Sequence, residues 1–305
     1  MEFPTTLIEF QDRFPDEASC WRYLRQVRWP EGFRCPHCGG SKHSFLERRQ
    51  LFQCAKCRRQ TSLTARTVLH RTRTPLRQWF LAMFFFARHK QSISALQLKQ
   101  DLGLASYGTA WLMLHKLRAA LGRRPQQRLR GDVEADETYV GGLGSGGKPG
   151  RGAPNKTMVL ILVERREKSA GGAVLRVVPD GSWGSLGPEI RGAIEGQNTR
   201  LWTDAFRSYH PLARHGVKHR AQVQRTPERA AKILPWAHIV ASNLKAWLLG
   251  TFRGVSPKHL QRYLDEFSYR LSRRSLADKL FFYVARRAVQ GDPLTYHRLT
   301  AESAG

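Results

Sequence analysis

Acidic residues are scarce in this sequence. Its 305 residues hold 24 Asp and Glu against 51 Lys and Arg, which gives a formal net charge of +27. The shortage is uneven, because residues 48–100 contain no carboxylate and residues 205–264 contain only Glu228. Ordinary solvated surfaces mix charges of both signs. Two long stretches without acids therefore predict a polyanionic partner, most simply nucleic acid.

Long apolar runs are also lacking, and the first residues do not predict a secretory leader. No stretch reaches the roughly 18 apolar residues of a transmembrane helix, and the N-terminal residues show no basic segment followed by an apolar run. The five cysteines include two Cys-x-x-Cys pairs, which favour a metal site in a reducing compartment over disulfides. We expect no membrane contact and a bacterial cytoplasmic, nucleoid-associated location. The length favours two domains.

The paired cysteines predict a zinc ribbon over residues 35–63. They are Cys35, Cys38, Cys54 and Cys57. Each Cys-x-x-Cys turn presents two thiolates to one ion, and two such turns complete a tetrahedral site for structural Zn²⁺. A region this small has little core of its own, so the metal would supply most of its folding energy. The basic pair Arg58 and Arg59 is expected to contact DNA.

Helical patterns surround the ribbon. Residues 1–34 are expected to be a helical segment, and residues 74–122 read as a helix-turn-helix region with Thr74 as the first N-cap. Its candidate recognition helix spans residues 106–120, where Lys116 and Arg118 are the candidate DNA contacts. A small helical bundle without DNA-reading function would show the same pattern.

From residue 131 the pattern changes to that of an α/β sheet with helices packed on it. Strands are expected over residues 132–140, 157–163, 172–178, 199–203 and 217–219. Helices are expected over residues 186–193 and 235–250. This core spans residues 131–274, and a C-terminal helical tail spans residues 275–305.

Two carboxylates stand at strand ends in this core. Asp136 lies in the first strand, and Asp204 directly follows the fourth. Carboxylate pairs hold Mg²⁺, which activates water and stabilises the leaving oxygen of a phosphodiester. Glu134 shares the strand face of Asp136, whereas Glu137 is expected to point away. By themselves, two acids so far apart in sequence do not define a site.

Four segments resemble bacterial insertion-sequence transposases. They are residues 133–142 (VEADETYVGG), 202–209 (WTDAFRSY), 243–252 (NLKAWLLGTF) and 254–267 (GVSPKHLQRYLDEF). The subgroup they resemble has an N-terminal zinc ribbon, a helix-turn-helix and an RNase H-like core of the DDE type. The resemblance covers nearly the whole chain. It implies an RNase H-like mixed sheet with flanking helices.

The resemblance also implies an activity and its partners. The enzyme would cleave DNA strands and transfer them with Mg²⁺ or Mn²⁺, and Asp136 and Asp204 would be the first two metal ligands. Its partners would be double-stranded DNA, as the element's terminal inverted repeats and as target DNA. Because two ends must be joined, a homo-oligomer is expected.

The sequence departs from the family at the third catalytic position. There the family has an acidic residue or Asn, followed seven residues later by Lys. Seven residues before Lys245 stands His238, and such a pair shares one helix face. Asn243 is the alternative, about 140° from His238 around the helix. Lys245 would contact a DNA phosphate. The missing acid keeps open a weakened or domesticated transposase that only binds DNA.

The glycine-rich loop over residues 141–156 lacks the GxxxxGK[ST] spacing of a phosphate-binding loop. Lys148 and Arg151 in this loop predict a basic hairpin tip that contacts DNA, and a simple linker is the alternative.

Two other classes of protein remain as alternatives. A zinc-ribbon transcription regulator would not need acids at strand ends. A nuclease with the same core would cut DNA without strand transfer, and only the family resemblance distinguishes it from a transposase.

Overall fold

The computed structural model describes residues 4–122, 128–141, 156–222 and 233–301. The chain forms two compact units: residues 1–123 together with 275–305, and residues 124–274. The C-terminal segment, which the sequence pattern presented as a separate tail, thus belongs to the first unit. Within the described ranges, no helix is long and apolar enough to cross a membrane.

The first unit is built from helices around an aromatic core. Its helices are α1 (Leu7–Arg13), α2 (Glu17–Arg28), α3 (Leu76–Arg88), α4 (Ala95–Asp101), α5 (Tyr107–Gly122), α9 (Leu280–Gln290) and α10 (Tyr296–Ala301). Phe281 of α9 lies with its ring centroid 5.8 Å from that of Phe14 and 5.9 Å from that of Phe80. These aromatic contacts join the C-terminal segment to the N-terminal helices.

Helix α3 starts differently from the sequence prediction. Thr74 was expected as its N-cap, but the helix begins at Leu76 and Pro75 holds the cap position without a capping side chain. The Glu17 carboxylate of α2 accepts the N–H groups of Leu76 at 2.6 Å and Arg77 at 2.9 Å. A carboxylate at a helix start accepts hydrogen bonds from free N–H groups and interacts favourably with the helix dipole. Glu17, which is distant in sequence, therefore replaces a local cap.

The helix-turn-helix outline is present in α4 and α5. Ser94 caps α4, because its hydroxyl accepts the N–H of Gln97 at 3.1 Å. Gly103 turns the chain with a φ of +59°, a conformation that favours glycine. At the start of α5, the Ser106 hydroxyl accepts the N–H of Thr109 at 3.4 Å.

A small antiparallel sheet forms the predicted ribbon. Its strands, in the order β1-β2-β3, are β1 (His43–Leu46), β2 (Leu51–Cys54) and β3 (Gln60–Ser62). Phe52 of β2 is fully buried and stacks with Trp21 and Phe33. The ribbon therefore packs on the aromatic side chains that precede it.

The second unit contains a five-stranded mixed sheet. Its strands are β4 (Leu129–Val140), β5 (Thr157–Arg165), β6 (Ala170–Val178), β7 (Ile194–Asp204) and β8 (Lys218–Gln222). They lie in the order β6-β5-β4-β7-β8. Neighbours among β4, β5 and β6 are antiparallel, whereas β7 runs parallel to β4 and β8 parallel to β7. The predicted α/β fold with an RNase H-like mixed sheet is confirmed.

Helices cover both faces of this sheet. They are α6 (Trp183–Ala193), α7 (Pro235–Phe252) and α8 (Pro257–Ser272). Val159 and Ile161 of β5 enter the core with α7 and α8, and Leu160 and Leu162 enter the core with α6. Side chains of a strand alternate between faces, so burial on both sides explains the continuous apolar run in β5.

Helix α8 carries the last segment of family resemblance and is held on β6 by polar contacts. Gln261 accepts the N–H of Val177 at 2.8 Å. Arg176 forms an ion pair with Asp265 at 3.2 Å. These contacts give the segment a structural role next to the sheet.

Candidate active site and zinc centre

The four predicted cysteines meet in the ribbon. The Cys35 and Cys57 sulfurs are 3.6 Å apart, as are those of Cys38 and Cys54, and all four lie within 4.8 Å of one another. Zn–S bonds of about 2.3 Å in a tetrahedron place sulfurs about 3.8 Å apart. The observed distances fit one Zn²⁺, which these thiolates would hold.

The electrostatics of the ribbon favour a thiolate at Cys35 and disfavour one at Cys57. Burial raises the pKa of Cys35, but the N–H groups of Cys38 and His37 outweigh it and lower the pKa to about 6. The N–H of Arg59 favours the Cys57 thiolate, yet burial and the neighbouring cysteines raise its pKa to about 11. A divalent cation removes this competition between neighbouring negative charges.

Asp136 and Asp204 stand at the same edge of the large sheet. Glu134 of β4 pairs with Trp202 of β7 in parallel register, and each aspartate lies two residues further along its strand. Both aspartates line one pocket of about 440 Å³. Two adjacent parallel strands thus bring together acids that are far apart in sequence, Asp136 from within β4 and Asp204 from the end of β7.

The pocket makes Asp136 harder to ionise. Burial raises its pKa, and the charge of Asp204 raises it further, whereas His238, the N–H of Glu137 and Lys245 lower it. The Glu137 N–H donates to Oδ1 of Asp136 at 2.9 Å. A nearby cation would stabilise the ionised form of a carboxylate in this position.

Helix α7 carries the remaining predicted catalytic residues. Nδ1 of His238 is 3.6 Å from Oδ2 of Asp136, and Nε2 is buried without a hydrogen-bond partner in the described part of the chain. Lys245 is exposed and close enough to lower the pKa of Asp136. Asn243 is exposed, about 140° from His238 around the helix. The structure therefore brings His238 and Lys245 to Asp136.

These possible ligands are more widely spaced than the thiols. Among the described residues, the cysteines alone form a group of three or more possible ligands within 4.8 Å. Asp136, Asp204 and His238 thus form an open arrangement. An open metal site leaves positions for water and substrate.

Glu137, which lines the pocket, and Tyr209, which contacts Glu137 from the core, were not predicted from the sequence. Glu137 contacts the α6 side of the sheet and Asp136 the α7 side, in line with strand alternation, yet both line the same pocket. The hydroxyl of Tyr209 donates to the Glu137 carboxylate, and burial together with Glu137 raises the pKa of Tyr209 well above its ordinary value. Strand alternation concealed Glu137 because the pocket opens at the strand end. Tyr209 ends one of the family-like segments, which was the available signal.

The predicted DNA contacts have different environments. Arg58 and Arg59 are exposed on the ribbon, and Arg59 lies 2.7 Å from Nδ1 of His37. Lys116 and Arg118 have exposed fractions of only 7% and 1%, because all but the first turn of α5 is largely packed into its unit. This corrects their assignment to a DNA-facing surface.

Two further predicted DNA contacts, Lys148 and Arg151, lie outside the described residues, as does Glu228. Among the described residues, the exposed candidates for DNA contact are therefore Arg58 and Arg59 on the ribbon and the first turn of α5.

A four-cysteine ribbon ahead of a mixed α/β sheet is the domain order of an insertion-sequence transposase with an N-terminal zinc ribbon. Family comparison agrees: a transposase zinc-ribbon domain matches residues 15–60, and an ISXO2-like transposase domain matches residues 128–272. The chain belongs to the insertion-sequence transposases that combine these two domains. It is also similar to an uncharacterized protein in transposable element ISH50 of Halobacterium salinarum. The two are 28% identical over 281 residues, which cover 84% of this chain and 91% of that protein.

Proposed function

We propose that this transposase cuts DNA at the ends of its insertion sequence and joins them to target DNA at the pocket of Asp136 and Asp204. The observation that carries the proposal is the meeting of both aspartates in one pocket, with His238 3.6 Å from Asp136. A helix lysine, Lys245, lies beside this group. Two carboxylates, a third possible metal ligand and a lysine side chain in one place suit phosphodiester chemistry.

The side chains of the pocket fit a divalent cation. Asp136 and Asp204 would hold it through oxygen atoms, which suit Mg²⁺ and Mn²⁺. His238, whose Nε2 is buried without a partner among the described residues, would be the third ligand, with Asn243 as the alternative. When bound, the metal supplies a lowered pKa for the attacking water and charge stabilisation for the leaving oxygen. An imidazole ligand favours Mn²⁺ over Mg²⁺.

Residues in and around the pocket would position the acids and the DNA. The Glu137 N–H holds Oδ1 of Asp136, and Tyr209 holds the Glu137 carboxylate. Lys245, exposed on α7, would bind a phosphate next to the scissile bond. Cleavage would leave a 3′-hydroxyl that attacks target DNA at the same site, without a covalent bond to the enzyme.

Binding of the element ends would use the first unit. Arg58 and Arg59 are exposed and would contact phosphates, and the exposed first turn of α5 would face the bases. Lys148 and Arg151 remain proposed contacts of the glycine-rich loop. Because two ends must be cut and joined together, we propose a homo-oligomer that acts on DNA in the bacterial nucleoid.

Cleavage of a duplex that carries the element end tests this function. Wild type should cut it only with Mg²⁺ or Mn²⁺, and Asp136→Asn or Asp204→Asn should lower the rate by about 10³-fold, since metal charge stabilisation is worth several kcal/mol. Asp132→Asn is the control, because Asp132 lies on the same strand but bonds Trp202 at 3.0 Å and does not line the pocket.

A DNA-binding protein that has lost catalysis is the second candidate, favoured by the missing third carboxylate. If the wild-type protein binds the element end but cuts it with neither Mg²⁺ nor Mn²⁺, this candidate is supported and the proposed enzymatic function is contradicted.

Arg58→Ala and Arg59→Ala should each reduce the salt dependence of DNA binding. Each lost phosphate contact should change the slope of log K against log salt concentration by about 0.9.

A further inference from the structure

We infer that Glu134 is a positioning residue that fixes the start of α7 to β4 and so holds His238 against Asp136. The inference rests on the proposed function, because it concerns the third metal ligand. Glu134 lies two residues before Asp136 on the same face of β4. Its side chain is fully buried. A buried carboxylate next to a proposed active site needs a structural or chemical role.

The contact that carries the inference is made to the backbone of α7. Oε2 of Glu134 accepts the N–H of Ala237 at 2.8 Å. Ala237 directly precedes His238, so this bond fixes the helix at the point where the imidazole leaves it. The Trp236 N–H also acts on the same carboxylate.

Helix α7 has no cap of its own. It begins at Pro235, and its cap residue Leu234 offers no side-chain hydrogen bond. The first N–H groups of a helix lack partners within the helix, and Ala237 is fully buried, away from water. The Glu134 carboxylate therefore takes the place of a local cap, where the helix dipole favours negative charge.

A second group balances the charge of Glu134. Nε of Arg165 lies 3.3 Å from Oε1, and its guanidinium stands 4.6 Å from the ring centre of Trp202. Burial raises the pKa of Glu134, and the Ala237 N–H and Arg165 counteract it. The carboxylate is thus held between a helix start and an arginine that is itself positioned by an aromatic ring.

The same contacts distinguish positioning from direct ligation. Glu134 has an exposed fraction of 0%, and it does not line the pocket that Asp136 and Asp204 share. Its Oε2 already accepts a backbone N–H. It therefore acts on the metal site through α7.

The test compares three variants of the full-length protein. Glu134→Ala removes the acceptor, and Glu134→Gln retains an oxygen acceptor without the charge. Glu164→Ala is the matched control on the neighbouring strand, because Glu164 also accepts two backbone N–H groups, from Gly172 at 3.0 Å and Arg130 at 3.2 Å. The readouts are hydrogen exchange of the Ala237 amide without metal and the affinity for Mn²⁺ by calorimetry.

Glu134→Ala should speed exchange of the Ala237 amide by about tenfold or more, as expected for a lost bond to a charged acceptor, and weaken Mn²⁺ binding about tenfold. Glu134→Gln should recover most of both, and Glu164→Ala should change neither. If Glu134→Ala fails to fold, Glu134→Asp replaces it; its side chain is one methylene shorter and should also lose the Ala237 bond.

Two results would overturn the inference: a Glu134 variant that frees the Ala237 amide but binds Mn²⁺ like wild type, or a Glu164→Ala variant that weakens Mn²⁺ binding equally. Failure of the proposed function is distinguishable. In that case wild type and Asp136→Asn bind Mn²⁺ equally poorly, whereas exchange of the Ala237 amide still reports the cap.

Discussion

The most informative substitution places a carboxylate at the third position of the proposed metal site. His238→Glu introduces an acid where related transposases carry one. Asn243→Glu is the matched control, since it adds the same charge to the same helix about 140° away. Nδ1 of His238 lies 3.6 Å from Oδ2 of Asp136, so a carboxylate here would face a cation held by Asp136.

The expected effect follows from the charge and the exposure of the site. The side chain of His238 is 40% exposed, so a water-like dielectric is appropriate. A unit negative charge about 4 Å from a divalent cation then contributes about 2 kcal/mol. Since about 1.4 kcal/mol corresponds to a tenfold change, Mg²⁺ should bind about 30-fold more tightly.

Calorimetric titration with Mg²⁺ measures this effect in both variants. His238→Glu should tighten Mg²⁺ binding and shift the metal preference of cleavage from Mn²⁺ towards Mg²⁺, whereas Asn243→Glu should change the affinity by less than about threefold. If Asn243→Glu tightens binding and His238→Glu does not, the assignment of the third ligand is refuted.

Three further predictions concern stability. Cys54→Ser should abolish zinc binding and unfold the ribbon, because the ion supplies most of its folding energy; zinc analysis and amide exchange over residues 43–62 check this. Phe281→Ala should destabilise the first unit by about 3–5 kcal/mol in urea unfolding, whereas the half-buried neighbour Phe282→Ala should cost less; equal losses would contradict the packing. Glu17→Ala should cost about 1–2 kcal/mol through the lost cap of α3, and unchanged exchange of the Leu76 amide would refute that cap.

The sheet of the second unit was predictable because its strands have distinctive local patterns. The apolar run of residues 157–163 became β5 (Thr157–Arg165), which lies between β6 and β4 with both faces covered. The predicted strand over residues 199–203 is longer in the structure, because β7 starts at Ile194 directly after α6. Periodicity identifies such elements better than it identifies their ends.

Features that depend on distant partners were not predictable. Glu17 and Glu134 look like ordinary acids in the sequence, yet their helix-capping bonds join residues up to 60 and 103 positions apart. Lys116 and Arg118 have the local pattern of a basic helix surface, but α5 packs against α3 and α9. Burial of this kind follows from tertiary packing, which local composition does not encode.

The measurement that tests the central claim most directly is anomalous diffraction from crystals of the protein grown with Mn²⁺. The account predicts one Mn²⁺ bound by carboxylate oxygens of Asp136 and Asp204 and by an imidazole nitrogen of His238, at metal–ligand distances of about 2.0–2.3 Å. No Mn²⁺ at Asp136 and Asp204, or an ion there that Asn243 ligates in place of His238, would contradict it.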